Sequence, residues 1–144
     1  MIPSSFASKL TNFVRETIQN RRQTRRLQVS VPVYFSIVHQ TRGEVVARSR
    51  KVAAATFDIS HSGVAIKTAN ATIDGLHVSV DPDSSIHKHL EIEMDLPGRR
   101  ISMKGKPIRY LKGDKRASYI VGIQILAMPP DDRKAYFEFI KTLG

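Results

Sequence analysis

From Leu27 to Ile37 every second residue is apolar: Leu27, Val29, Val31, Val33, Phe35 and Ile37 alternate with Gln28, Ser30, Pro32, Tyr34 and Ser36. A period of two is the mark of a strand with one face buried. Pro32 cannot donate to a ladder, so this strand runs along an edge or carries a bulge. The same period returns several times. "HQTRGE" turns the chain into a second long strand, roughly Val45 to Phe57, which "DISHSG" ends before the short strand "VAIKT". In "HLEIEMDL", Leu90, Ile92, Met94 and Leu96 alternate with acids up to the Pro97-Gly98 turn, a hairpin entry. "ISMKGKPIRYL" continues beyond it with a parity slip around Gly105 to Pro107, as a bulge produces. "SYIVGIQIL" adds a strand burying Val121, Ile123 and Ile125.

Helical spacing is confined to the ends. Phe6, Leu10, Phe13, Val14 and Ile18 form one apolar stripe over residues 5–19. Pro129-Pro130-Asp131-Asp132 opens a second helix over 130–143, with Tyr136, Phe139, Ile140 and Leu143 as its packing stripe. Short strands joined by turns, with helices at the termini, make an antiparallel barrel or sandwich. With 144 residues and no linker-like tract, the chain reads as a single domain, 1–144: a helical extension over 1–20, a β-barrel over 21–126 and a C-terminal helix over 130–143.

Composition excludes several function classes. There is no cysteine, hence no disulfide, thiolate metal site or thiol nucleophile. No apolar run approaches the roughly 20 residues of a membrane span, and a cytoplasmic location is expected. The Arg- and Ser-rich first 28 residues have the composition of a transit peptide, but the arginines have another use. Net charge is +10 and uneven: residues 1–50 carry nine basic and two acidic groups, 51–98 three and seven, 99–144 eleven and four. Basic flanks around an acidic middle suggest an anionic partner met at one face.

Two elements carry chemistry. "RRQTRR" puts Arg21, Arg22, Arg25 and Arg26 directly before the first strand. Guanidinium is permanently charged and planar, and its paired donors suit phosphate oxygens and the O6/N7 edge of guanine. Alone, such a run is as well read as a solvated basic linker. The second element is Asp58-Ile59-Ser60-His61-Ser62-Gly63. As a plain turn it explains itself, with Asp and Ser bonding their own backbone and Gly63 taking a positive φ. As a site, the carboxylate can accept from guanine N1–H and N2–H2 together, and the Ser60 hydroxyl adds a contact.

RxxxR at a strand entrance, followed about thirty residues later by DxSxxG, resembles the PilZ family of bacterial cyclic di-GMP receptors. "LPG" at 96–98, and "VGIQI" at 121–125 followed by a Pro- and Asp-started helix, extend the likeness over nearly the whole chain. The resemblance implies a six-stranded antiparallel barrel with a helix beside it, and a ligand between the arginines and the DxSxxG turn. It assigns Arg22 and Arg26 as the RxxxR pair, since the second arginine precedes the strand, with Arg21 as an additional contact and Arg25 as a solvated neighbour. Asp58 and Ser60 would meet guanine, and Gly63 would shape the turn. A receptor with no cofactor, no metal and no catalytic role follows, together with a downstream protein partner. The connection "ANATIDGLHVSVDPDSSIHK" is longer than a compact barrel needs, and reads as a short strand at His77 to Val80 followed by a "DPDSS" loop.

Other readings are weaker. Asp58, Ser60 and His61 lie too close on one turn to form a nucleophile, base and orienting acid, and no G-x-S-x-G elbow exists. His87, His89, Asp81 and Asp83 match no metal spacing. Nucleic-acid binding fits the net charge, but the basic regions lack interleaved aromatics and no RNP-like or zinc-finger signature appears. A scaffold of the same fold that works only through protein contacts would not need both motifs.

Overall fold

A computed structural model describes residues 26–78, 87–113 and 118–143. Among these residues the strands are β1 (Leu27–Gln28), β2 (Pro32–Thr41), β3 (Glu44–Arg48), β4 (Val52–Ile59), β5 (Gly63–Thr68), β6 (Thr72–Ile73), β7 (Leu76–His77), β8 (His87–Leu96), β9 (Arg99–Lys112) and β10 (Tyr119–Ala127). The one helix among these residues is α1 (Pro130–Leu143). The expected helix over residues 5–19 lies outside the described residues, as do Arg21, Arg22, Arg25 and the "DPDSS" loop.

All pairings are antiparallel. The order β4-β5-β10-β9-β8-β2 closes into a ring of six, because β2 pairs with β8 on one side and with β4 on the other. β1 extends the sheet beyond β4, and β3 beyond β2. Inside the ring Val33, Phe35, Ile37, Leu90, Ile92, Met94, Ile101, Val121 and Ile123 form the core. α1 adds Tyr136 and Ile140 to it, while Leu143 of the expected stripe is exposed.

The long first strand is divided. Leu27 faces Ile59 in register, but Pro32 faces Ala55, so the chain slips by one residue between them. Thr56 bridges the slip: its hydroxyl accepts from the Val31 N–H at 2.8 Å and donates to the Val29 carbonyl. Pro32 follows this break, where a missing donor costs least. The second long strand is divided as well, at Ser49, which exchanges bonds with Ile37: its N–H donates to the Ile37 carbonyl at 2.9 Å and its hydroxyl accepts from the Ile37 N–H at 2.8 Å.

The Pro97-Gly98 hairpin forms as expected, with Leu96 paired to Arg99 and Gly98 at φ 78°. The parity slip in β9 lies just beyond the expected place: Arg109 faces Gly122 but Pro107 faces Ile123, which leaves Ile108 as the extra, exposed residue. In the long connection the chain forms a small hairpin, β6-β7, around Asp74-Gly75: the strand expected from His77 is β7, which ends at His77, and residues 79 and 80 of that expectation lie outside the described residues. Asp74 and Gly75 both have positive φ, the signature of a type I′ turn. This hairpin buries Ile73 and Val78 in the core.

Candidate functional site

The two motifs meet at one edge of the ring. Asp58 is the penultimate residue of β4, and its neighbour Ile59 points into the core, so Asp58 points outward. β1 lies beside it with Gln28 opposite, which brings Arg26 over the carboxylate. The Arg26 Nε donates to Asp58 Oδ1 at 3.0 Å and Nη2 donates to the same oxygen. Both side chains are largely withdrawn from water, at 10% and 7% exposure, so the pair is worth more than the usual surface ion pair.

The turn after β4 is built by its own polar groups. The Ser60 hydroxyl accepts from the Gly63 N–H at 3.1 Å, and the Ser60 N–H donates to the Gly63 carbonyl at 2.8 Å. Ser60 is fully buried, so its hydroxyl holds the loop instead of facing the surface. The Ser62 carbonyl accepts from the Ile125 N–H at 2.9 Å, which ties the turn to β10.

Gly63 departs from the sequence reading. Its φ is not positive; it begins β5 in ordinary extended backbone. The need for glycine is one of space: a Cβ would lie 3.0 Å from the Ile123 carbonyl oxygen and 3.4 Å from Arg26 Nη1. Glycine here lets the turn close against β10 and leaves room for the arginine.

Three side chains on α1, Tyr136, Phe137 and Arg133, border the site, and the motifs did not point to them. The Tyr136 hydroxyl reaches into the turn and donates to the Ser60 carbonyl at 2.6 Å. Burial pushes its phenol well above the ordinary value, so it is a fixed neutral donor. A tyrosine in an otherwise apolar stripe is the signal that could have found it, since a buried phenol needs a partner. The His61 ring lies edge-on to Phe137, centroids 4.8 Å apart, and the Arg133 guanidinium lies 5.7 Å from the same Phe137 ring.

Of the predicted site residues, Arg26, Asp58, Ser60 and Gly63 are therefore gathered within one cluster, and Arg21 and Arg22 lie outside the described residues. The arrangement offers a carboxylate already bonded to guanidinium donors, on a turn braced from β10 and α1. Such a carboxylate can exchange one planar, multi-donor partner for another. Among the described residues no group of three or more His, Asp or Glu is placed to hold a metal ion, and no helix is long and apolar enough to cross a membrane.

No curated protein matches the chain. Among solved structures, the Bacillus subtilis inhibitor of motility MotI/DgrA superposes with a TM-score of 0.56 at 20% identity, over 85% of this chain and 51% of its own, so this chain spans about half of that protein. The PilZ domain of YcgR from Escherichia coli, solved with c-di-GMP, superposes with a TM-score of 0.51 at 15% identity, over 85% of this chain and 91% of that one. These likenesses speak to the fold. The family model for the PilZ domain matches residues 19–141, and on that match the chain belongs to the PilZ domain family.

Proposed function

We propose that this chain is a receptor for cyclic di-GMP, acting by binding and not by turnover, with Arg21, Arg22, Arg26, Asp58, Ser60 and Gly63 as its ligand site. The observation that carries the proposal is the contact between Arg26 and Asp58, residues 32 apart in sequence, which joins the arginine segment to the DxSxxG turn. Guanine presents N1–H and N2–H2 on one edge, a planar pair of donors that can replace those of the guanidinium on Asp58. The released Arg26, with Arg21 and Arg22, then meets guanine O6/N7 and the phosphodiester oxygens. Ser60 and Gly63 serve by holding the turn in place. The YcgR domain, whose structure contains c-di-GMP, supports the choice of ligand.

Because Arg26 must leave Asp58 or share it, ligand binding changes how the segment before β1 is held. A downstream protein that reads that segment would be the output, provided it prefers one arrangement over the other.

The test is calorimetric titration of the purified protein with cyclic di-GMP, with GTP and a short DNA duplex as controls, at two salt concentrations. Saturable binding of cyclic di-GMP alone is expected, and its stoichiometry distinguishes one bound nucleotide from two. Heat with the duplex and none with cyclic di-GMP would assign the arginines to a polymer and overturn the proposal.

A further inference from the structure

α1 brings to the border of the ligand site a cation that neither motif assigns. Arg133 lies three residues before Tyr136 and four before Phe137, so the three side chains share one helix face. That face stands on the DxSxxG turn: the Tyr136 hydroxyl is 2.6 Å from the Ser60 carbonyl oxygen and 3.4 Å from that of Gly63, and the Phe137 ring packs against His61. Arg26 reaches the same turn from the strand side, since a Cβ at Gly63 would lie 3.4 Å from its Nη1. Asp58 and His61 are three residues apart, at most about 11 Å between Cα atoms, so one ligand with two bases can touch both.

Arg133 is exposed. Arg26, Arg48, Arg50, Arg99 and Arg100 each pair with a carboxylate, whereas Arg133 has no such partner among the described residues. What holds it is the Phe137 ring, whose centroid is 5.7 Å from its Cζ. A cation–π contact uses the flat face of a guanidinium and leaves its N–H donors, which lie in the plane, free for an acceptor. Helix stability does not select an arginine so near the start of α1, because the macrodipole favours cations at the other end. His61 is exposed as well, so its ring offers a base a surface on which to stack.

We infer that Arg133 and His61 form the subsite for the second guanine of cyclic di-GMP: with one guanine on Asp58, the other stacks on the His61 ring while its O6 and N7 accept from the Arg133 guanidinium. The inference rests on the receptor function proposed above and goes beyond it in naming the residues that read the second base.

The probe is the hybrid cyclic GMP–AMP, in which adenine replaces one guanine. Adenine keeps N7 but presents an N6–H2 donor where guanine presents O6, so a guanidinium cannot bond it bidentately. The guanine of the hybrid can still occupy Asp58. In calorimetric titrations of the full chain, the wild type should bind cyclic di-GMP about tenfold more tightly than the hybrid. Arg133→Ala should abolish that preference, weakening cyclic di-GMP to the level of the hybrid and leaving the hybrid nearly unchanged. Arg133 is exposed, so its removal leaves the fold in place. His61→Ala should weaken both nucleotides about equally, because stacking does not distinguish the bases. A preference that persists in Arg133→Ala, or an equal loss on both nucleotides, would overturn the inference and leave the receptor function standing. Asp58→Ala tests that function separately and should weaken both nucleotides alike. Unchanged binding in Asp58→Ala, or no binding of cyclic di-GMP by the wild type, would overturn the proposed site and this inference with it.

Discussion

At the scale of single residues, the site rests on a few polar groups whose removal has separable effects. Arg26 and Asp58 share a partly buried contact, so without ligand each supports the other. We expect Arg26→Ala and Asp58→Ala to destabilise the fold non-additively, with a coupling of about 1.5–3 kcal/mol from urea denaturation of both single variants and the double. Additive losses would mean that the pair does not persist in solution. Toward the ligand, Arg22→Ala and Asp58→Ala should each cost roughly ten- to hundredfold in affinity, and Arg25→Ala much less. The Tyr136 phenol gives a pH signature. Burial raises its folded pKa above the unfolded value of about 10, so its stabilisation is complete below that pH and is lost as pH rises beyond it. Tyr136→Phe should lower stability by about 1 kcal/mol at neutral pH and shift alkaline unfolding upward. An alkaline limb identical to wild type would show that the phenol is not held neutral.

At the scale of elements, α1 is fastened to the barrel by its first turn and by Tyr136 in its middle. Near its start, Asp132 accepts from the Ser102 N–H at 2.9 Å and from Arg99 at 2.7 Å, and these bonds hold its carboxyl below the usual range. A depressed folded pKa contributes stability above the unfolded value, about 4, which is lost as pH falls through the folded one. Asp132→Asn should therefore flatten the acid limb of melting temperature against pH between about 4 and 2; a limb as steep as wild type would contradict this. The elements also show where sequence reasoning reached and where it stopped. Alternation exposed the strands, because one face of each is buried, and Pro-Asp-Asp marked the start of α1. It could not show that Thr56 would break the first strand, because a side chain substituting for ladder bonds leaves the alternation intact: Val29, Val31 and Val33 are still spaced by two. It misread Gly63 for a related reason. Glycine marks both positive φ and close approach, and only the Ile123 carbonyl, on a neighbouring strand far away in sequence, tells which. Gly63→Ala should accordingly act by displacement, cost about 1–3 kcal/mol in stability and weaken cyclic di-GMP binding, as calorimetry can check.

At the scale of the whole molecule, the net charge of +10 hides an internal match. The acids that the middle segment places on β8 are matched: Glu91 pairs with Arg48, Glu93 with Lys51, and Asp95 with Arg100, whose guanidinium also lies 4.7 Å from the Tyr34 ring centroid. That wall is close to neutral, and the surplus of positive charge lies in the first and last thirds of the sequence, on either side of it. A basic surplus attracts any anion at long range, which makes salt the variable that separates a defined site from general adhesion. Cyclic di-GMP carries two phosphates and should be held chiefly through base contacts at Asp58 and the arginines. Its affinity should fall by no more than about tenfold between 50 and 200 mM salt, whereas a duplex gripped through six to ten phosphates would lose about 10³- to 10⁵-fold. Titration across that range discriminates: a shallow slope for cyclic di-GMP places the binding energy in the Arg26–Asp58 cluster, and a slope as steep as the duplex would place it in the charge of the molecule at large.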